Sequence, residues 1–264
     1  MKGARKMKRK LVVLFVVMIA VLSSFAFADG IINYKPDEGI VKINYTTTDY
    51  TKFKIIIKRD TQQYIYNIND NDESFPLQMG SGLYTVAIYQ NVSSNKYKKI
   101  TSASKTVTVN EDAVNLASVQ NMSWAEEMKA IVLAKELMAD LETDEEKFDA
   151  VYDYIIRSIV YDYYKASTIY SRYLPVIDVT LEEKKGICYD YSSLMASMLR
   201  SQGIKSKLIE GESTYTSTYH AWNEVYLNGE WKIIDSTVDA QLSKMMAKYD
   251  KYKTTTSHVK MKSF

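Results

Sequence analysis

The 264-residue sequence predicts an α+β protein in which an N-terminal antiparallel β-sandwich precedes an α+β domain. Short alternating apolar runs separated by polar breaks fill the first part, as is typical of antiparallel strands. In the second part, apolar residues recur at helical spacing, and a strong hairpin signal follows them. The length allows two modest domains. We predict a signal peptide at residues 1–28, a β-sandwich domain at 29–112 and a second, α+β domain at 113–264.

The first 28 residues have the pattern of an export signal. Six Lys and Arg residues precede an apolar run at 11–21, and Ala26-Phe27-Ala28 forms a cleavage site before Asp29. The run is close to membrane-spanning length, so an uncleaved anchor is the alternative. Ser23 and Ser24 interrupt the run and favour cleavage. We expect a secreted or cell-envelope protein whose only membrane contact is through this signal.

Removing the leader changes the charge balance. The leader holds six of the 34 basic residues and none of the 32 acidic ones, so 28 basic residues face 32 acidic ones in the remainder. The resulting net charge of −4 gives no electrostatic reason to expect nucleic acid binding.

The region from 29 to 112 is predicted to be an immunoglobulin-like sandwich. Val41, Ile43 and Tyr45 alternate with polar residues, and the run from Phe53 to Ile57 does the same. Six or seven such strands in about eighty residues are typical of this architecture. The region contains no Cys or His, so we expect it to have a binding, spacer or stabilising role.

Two capping boxes predict the helices that follow. Ser123 with Glu126 predicts a helix at 124–141, and Thr143 with Glu146 predicts a second from Asp144 to about Tyr161.

The stretch from 161 to 185 shows weak hydrophobic periodicity. After residue 235 only a short helix near 240–249 is expected. We interpret His258, in this polar tail, as solvated.

The single cysteine, Cys188, is predicted to lie at the start of a helix that ends before Gly203. Unpaired amide groups and the positive dipole end at that position stabilise a thiolate over a thiol. One cysteine also excludes an internal disulfide. The alternative is a buried small hydrophobic residue.

A histidine and an aspartate are predicted to meet on one hairpin. Asn228-Gly229 between two strand-like runs indicates a type I′ turn, in which Leu227 pairs with Glu230. In that register His220 and Asp235 project from the same face as diagonal neighbours.

Together these residues have the pattern of a thiolate acyl-transfer site. Cys188 would be the nucleophile, His220 would pair with the thiolate and protonate the leaving amine, and Asp235 would fix the imidazole. The Cys188 amide would donate to the oxyanion. The sequence has no Gly-rich phosphate loop, no Cys/His zinc set and no calcium loop, so we predict no cofactor and no metal.

The motifs around these three residues resemble the transglutaminase-like core of bacterial exported proteins. The resemblance rests on Lys185-Gly186-Ile187-Cys188-Tyr189-Asp190-Tyr191, Leu199-Arg200-Ser201-Gln202-Gly203-Ile204, His220-Ala221-Trp222 and Trp231-Lys232-Ile233-Ile234-Asp235-Ser236-Thr237. It extends upstream to residues 155–162 and 173–175. It implies a papain-like fold and a Cys188, His220, Asp235 triad. Tyr189 stands where many relatives have Gln.

The resemblance implies a peptidase, an amidase or a transglutaminase. We expect an exported enzyme that attacks amide bonds of proteins or cell-wall peptides through a thioester at Cys188. Hydrolysis is favoured because an open cleft admits water, and protein cross-linking by transglutamination is the alternative. A non-catalytic cell-surface binding module is the second alternative. The sequence does not predict the oligomeric state.

Overall fold

The computed structural model describes residues 30–264, so the predicted signal peptide lies outside the described residues. Contacts divide this part of the chain into two units, residues 30–36 with 40–109 and residues 37–39 with 110–264. The chain is a mixed α and β structure, as predicted. Within residues 30–264, no helix combines the length and apolar character needed to cross a membrane.

The first unit consists of two antiparallel sheets. One has the strand order β1-β2-β5, and the other has the order β4-β3-β6-β7. The strands are β1 (Ile32–Lys35), β2 (Ile40–Asn44), β3 (Phe53–Arg59), β4 (Gln62–Asn67), β5 (Asp72–Pro76), β6 (Gly82–Ser93) and β7 (Lys96–Val107).

Alternation along these strands determines which side chains are buried. Phe53, Ile55 and Ile57 are buried along β3, which confirms the predicted alternation. Tyr34, on β1 of one sheet, donates its hydroxyl hydrogen to the Ala103 carbonyl on β7 of the other, at 3.0 Å. This bond links the two sheets, and burial raises the pKa of the Tyr34 phenol.

The second unit combines helices with a five-stranded antiparallel sheet of order β13-β12-β11-β10-β14 and a short parallel pair, β8-β9. Its elements are α1 (Glu111–Val114), α2 (Lys129–Met138), α3 (Asp144–Ser158), β8 (Val160–Tyr161), α4 (Tyr163–Thr168), α5 (Ile177–Glu183), β9 (Lys185–Gly186), α6 (Cys188–Ser201), β10 (Ser206–Ser213), β11 (Thr216–Leu227), β12 (Glu230–Ile234), α7 (Ser236–Lys244), β13 (Tyr252–Lys253) and β14 (His258–Ser263).

Helix α6 runs through the centre of this unit. Every residue from Asp190 to Arg200 is buried, between β10 and β11 on one side and helices α2, α3 and α5 on the other. The sequence predicted a single apolar face, but polar side chains of α6 are enclosed as well. Backbone carbonyls accept from two of them: the Ser193 hydroxyl donates to Asn121, and the Arg200 guanidinium donates to Ala117, Ser206 and Phe264. These bonds fix the helix that carries Cys188.

The predicted Ser123–Glu126 capping box is wrong. Helix α2 begins only at Lys129, and its first amide groups are capped by Asp178, whose carboxylate accepts from Lys129 N at 3.1 Å and Ala130 N at 2.9 Å. The Trp124 amide instead donates to the Ser118 hydroxyl at 2.9 Å. A cap supplied from α5 therefore replaces the local one.

The second predicted capping box is confirmed. The Thr143 hydroxyl accepts from Glu146 N, and the Glu146 carboxylate accepts from Thr143 N. Helix α3 ends at Ser158, before the predicted Tyr161, because the chain then enters β8 and pairs with β9.

The expectation of little structure after residue 235 is also wrong. The helix there spans Ser236–Lys244, earlier than predicted, and two further strands follow it. Strand β14 pairs with β10, where Gly211 lies opposite Lys260. A Cβ at Gly211 would come within 2.1 Å of the Val259 carbonyl oxygen, so the close approach of β14 requires glycine.

Candidate active site

Cys188 is the first residue of α6. The preceding Ile187 is extended, and its amide donates to the Asp190 carboxylate at 2.8 Å. Gly186 allows this turn, because a Cβ there would lie 2.6 Å from the Asp190 Cβ. As the first helical residue, Cys188 has an amide group with no partner within the helix. The cysteine is free, and the residue is partly exposed.

The hairpin that carries His220 has the predicted turn and register. Asn228 and Gly229 both have positive φ, 52° and 85°. Leu227 pairs with Glu230, and the ladder continues in the same register to Asn223 and Ile234. This confirms the register from which the His220–Asp235 pairing was predicted.

The imidazole and the carboxylate meet as that register requires. His220 Nε2 lies 2.8 Å from Asp235 Oδ2, and both side chains are buried. Asp235 also precedes α7, where its Oδ1 accepts from the Val238 amide at 3.0 Å. The helix cap therefore holds the carboxylate that orients the imidazole.

The electrostatics of the pair favour a charged imidazole. Burial alone would lower the pKa of His220, but hydrogen bonds with Asp235 and Cys188 outweigh it and raise the pKa to about 10. Since Nε2 is bound to Asp235, Nδ1 is the nitrogen left to face the sulfur. Burial likewise opposes the ionisation of Asp235, yet bonds from two histidines hold its pKa well below the usual range.

The second of those histidines is His258, and its interpretation as solvated is wrong. It is 3% exposed, and its Nε2 lies 3.0 Å from Asp235 Oδ2. Local sequence gave no sign of this placement, because the pairing of β14 with β10 joins residues about 45 positions apart.

Aromatic side chains lie beside His220 and on several elements of the second unit. Trp222 is buried with its ring 6.3 Å from the His220 ring. The Tyr189 hydroxyl accepts from the Asn121 amide at 2.7 Å, so this tyrosine is held at the start of α6. Exposed tyrosines lie on α4, on the loop that follows it and on the β10–β11 hairpin: Tyr163, Tyr164, Tyr170, Tyr215 and Tyr219.

No cluster of three or more His, Cys, Asp or Glu side chains suited to a metal ion occurs within residues 30–264. What the structure assembles is a thiol at a helix start beside a hydrogen-bonded histidine and aspartate. That arrangement is the one found in sites for thiol-dependent acyl transfer.

Comparison with known families agrees with this class. The family model described as "Transglutaminase-like superfamily" matches residues 131–236, which include all three predicted site residues. Residues 131–236 are therefore similar in sequence to the transglutaminase-like superfamily. His258 lies outside the matched residues.

Curated relatives match the same part of the chain. Kyphoscoliosis peptidase from Homo sapiens is 29% identical over an alignment that covers 46% of this chain and 20% of the relative. The mouse protein of the same name is 28% identical with the same coverage. The chain thus spans about a fifth of the length of these relatives.

Three solved structures align with the chain at low sequence identity. A candidate cysteine protease from Cytophaga hutchinsonii has a TM-score of 0.46 and 16% identity, covering 85% of this chain and 75% of its own. The periplasmic domain of TgpA from Pseudomonas aeruginosa has a TM-score of 0.40 and 14% identity, covering 74% and 90%. Red sea bream transglutaminase has a TM-score of 0.33 and 9% identity, covering 75% and 48%.

Proposed function

We propose that this chain is an exported cysteine-dependent acyl-transfer enzyme that hydrolyses amide bonds of proteins or cell-wall peptides through a thioester at Cys188. One observation carries the proposal. The buried Asp235 holds His220 by a 2.8 Å bond, and the charged imidazole is within hydrogen-bonding reach of a thiol at a helix start. Neither a solvated histidine nor a structural cysteine requires that arrangement.

Acylation follows from the positions of these groups. The Cys188 thiolate adds to the amide carbonyl carbon, and the carbonyl electron pair moves to oxygen, facing the Cys188 amide hydrogen. When the tetrahedral intermediate collapses, the C–N bond breaks and His220 Nδ1 gives its proton to the departing nitrogen. The products are an amine and an acyl-enzyme thioester. Asp235 stabilises the imidazolium and holds its ring in place.

Deacylation determines whether the enzyme is a hydrolase. Neutral His220 takes a proton from water as the oxygen adds to the thioester carbonyl, and the thiolate leaves to give a carboxylic acid. An amine in place of water would give a new amide, which is transglutamination. We favour water as the acceptor because Cys188 is partly exposed and an open cleft admits water.

The substrate class follows from the predicted location. A chain exported by a signal at residues 1–28 meets proteins and cell-wall peptides rather than nucleic acids.

We further propose that the first unit is an immunoglobulin-like module that binds a ligand, acts as a spacer or stabilises the protein. Its two antiparallel sheets support this description.

The test uses the mature protein with a glutamine-containing peptide and a labelled amine. We expect peptide cleavage or ammonia release without incorporation of the label. Incorporation of the label that is lost in Cys188→Ala would instead identify a transglutaminase. If neither reaction occurs across a peptide library, the chain is a binding module and the proposal fails.

Removing either reacting group should abolish turnover. Cys188→Ala and His220→Ala should each reduce kcat to background, because the two groups act as a unit. Circular dichroism should show that both variants remain folded. A substantial residual rate in either variant would contradict the mechanism.

A further inference from the structure

His258 enters the site from the last strand of the sheet. It is the first residue of β14, and Val259, the next residue, passes over Gly211 of β10. Its ring is enclosed by Trp222, edge-on with ring centroids 5.0 Å apart, and by Tyr215 at 5.8 Å. The imidazole therefore has one well-defined position.

Both histidines converge on one oxygen atom. Asp235 Oδ2 lies 2.8 Å from His220 Nε2 and 3.0 Å from His258 Nε2, while Oδ1 accepts the Val238 amide. A carboxylate only accepts hydrogen bonds, so each Nε2 must carry a hydrogen. Three donors thus surround a carboxylate that is fully buried.

The other contacts of His258 are compatible with this role. Its Nδ1 lies 2.9 Å from the Ser257 hydroxyl, and the Ser213 hydroxyl lies 3.4 Å from Nε2. A second buried ion pair, Asp239 of α7 with Lys253 of β13, lies close enough to Asp235 to interact with it electrostatically. Asp239 is already bound by Lys253 and by the Tyr152 hydroxyl. Asp235 is therefore the carboxylate to which His258 donates.

We propose that His258 is a positioning residue of the active site, which acts by donating its Nε2 hydrogen to Asp235 and so fixes the oxygen that orients His220. The inference rests on the proposed function and assigns a fourth side chain to that site. Its physical basis is that without His258 the buried Oδ2 would have His220 as its one imidazole donor, whereas two donors on Oδ2 and the Val238 amide on Oδ1 hold the plane of the carboxylate more firmly. Strand β14 is then part of the catalytic apparatus, although it lies beyond the residues matched by the family model.

Two substitutions of similar polarity separate this role from simple packing. The side-chain amide of Gln can place an N–H near the position of His Nε2, whereas Asn is one methylene shorter and does not reach. His258→Gln should retain Cys188 reactivity within a few-fold of wild type. His258→Asn should lower kcat for the glutamine peptide and the rate of Cys188 alkylation by iodoacetamide at about pH 6, each by about 10- to 100-fold. KM should change much less than kcat, because His258 does not touch substrate.

Lys260→Gln is the matched control on the same strand. Its ammonium pairs with Glu224 at 2.7 Å, outside the Asp235 cluster, so both rates should stay within about twofold of wild type. Circular dichroism at the assay temperature confirms folding for all three variants.

The outcomes separate the two proposals. Wild-type rates in His258→Asn, equal losses in the Gln and Asn variants, or loss of folding in both would overturn the role of His258. Iodoacetamide needs no amide substrate, so the alkylation rates test His258 even if no peptide is cleaved. Rapid alkylation of the wild type without turnover of any peptide would contradict the proposed function alone.

Discussion

Asp235 meets two requirements with one side chain. As the residue before α7 it caps the helix through Oδ1, and through Oδ2 it accepts from His220 and His258. Burying an isolated carboxylate would strongly destabilise the folded protein. Each charge-assisted hydrogen bond offsets this cost by contributing on the order of 1.5–3 kcal/mol to stability. The helix cap therefore stabilises the same charge that holds His220 in the proposed site.

The charge state of His220 gives a direct test of this arrangement. With its pKa raised to about 10, the imidazole should remain protonated from acid to neutral pH and lose its proton only in the alkaline range. NMR titration of the His220 ring should detect this midpoint. In Asp235→Asn the midpoint should fall, because the carboxylate that favours the charged form is gone. A wild-type midpoint near 6.5 would show that the bond to Asp235 does not control the imidazole.

Gly186 is a second residue on which the site depends. A methyl group there would lie 2.6 Å from the Asp190 Cβ, so Gly186→Ala must shift the turn before Cys188. We expect a loss of about 1–3 kcal/mol in the free energy of unfolding and slower alkylation of Cys188. Urea unfolding measures the first quantity and mass spectrometry the second. Lys185→Ala, at an exposed neighbouring position, should change neither, and an unaffected Gly186→Ala would contradict the close contact.

At the scale of elements, α2 shows how a distant cap can replace a local one. Asp178→Ala should remove the carboxylate that accepts from Lys129 N and Ala130 N, and so destabilise the protein by about 0.5–2 kcal/mol. Ser123→Ala, at the cap that the sequence predicted, should have almost no effect. Urea unfolding of the two variants compares them directly. The reverse order would mean that the local capping box forms in solution.

Elements specified by adjacent residues were predictable from the sequence. The hairpin turn at Asn228 and Gly229 depends on local backbone preference, and the position of Cys188 on α6 follows from helical periodicity. The register of that hairpin then places His220 near Asp235 without further information.

Elements that depend on distant partners were not predictable in the same way. The cap on α2 comes from Asp178, 49 residues beyond Lys129, and His258 is buried only because β14 pairs with β10. Valine and methionine at 259 and 261 alternate with Lys260 and Lys262, which is a weak strand signal. Nothing in that local pattern indicates which strand is the partner. The missed site residue is thus one whose position depends on long-range pairing.

At the scale of the whole molecule, the His220 ionisation links folding to pH. The His220 pKa rises from 6.5 to about 10 on folding, so the folded state binds more protons between those pH values. This stabilisation is fully present below about pH 6.5 and is lost as pH rises through about 10. The Asp235 contribution has the opposite sense, since its lowered pKa stabilises the fold above about pH 4 and is lost on acidification.

Subtracting a variant isolates the His220 contribution. The difference in free energy of unfolding between wild type and His220→Gln should be largest near pH 6 and should shrink by at most about 1.4 kcal/mol per pH unit toward pH 10. Urea unfolding across this range measures it. A difference that is constant with pH, or that grows as pH rises, would contradict the raised pKa.

The central claim is that Cys188 is a reactive nucleophile because the second unit brings α6 and the β11–β12 hairpin together. The most direct measurement is the rate of alkylation by iodoacetamide at about pH 6, read at Cys188 by mass spectrometry in wild type and His220→Ala. We predict rapid alkylation in the wild type and a fall to the rate of an ordinary protonated thiol in the variant. Equal rates in the two proteins would contradict the assignment of Cys188 as a nucleophile activated by His220.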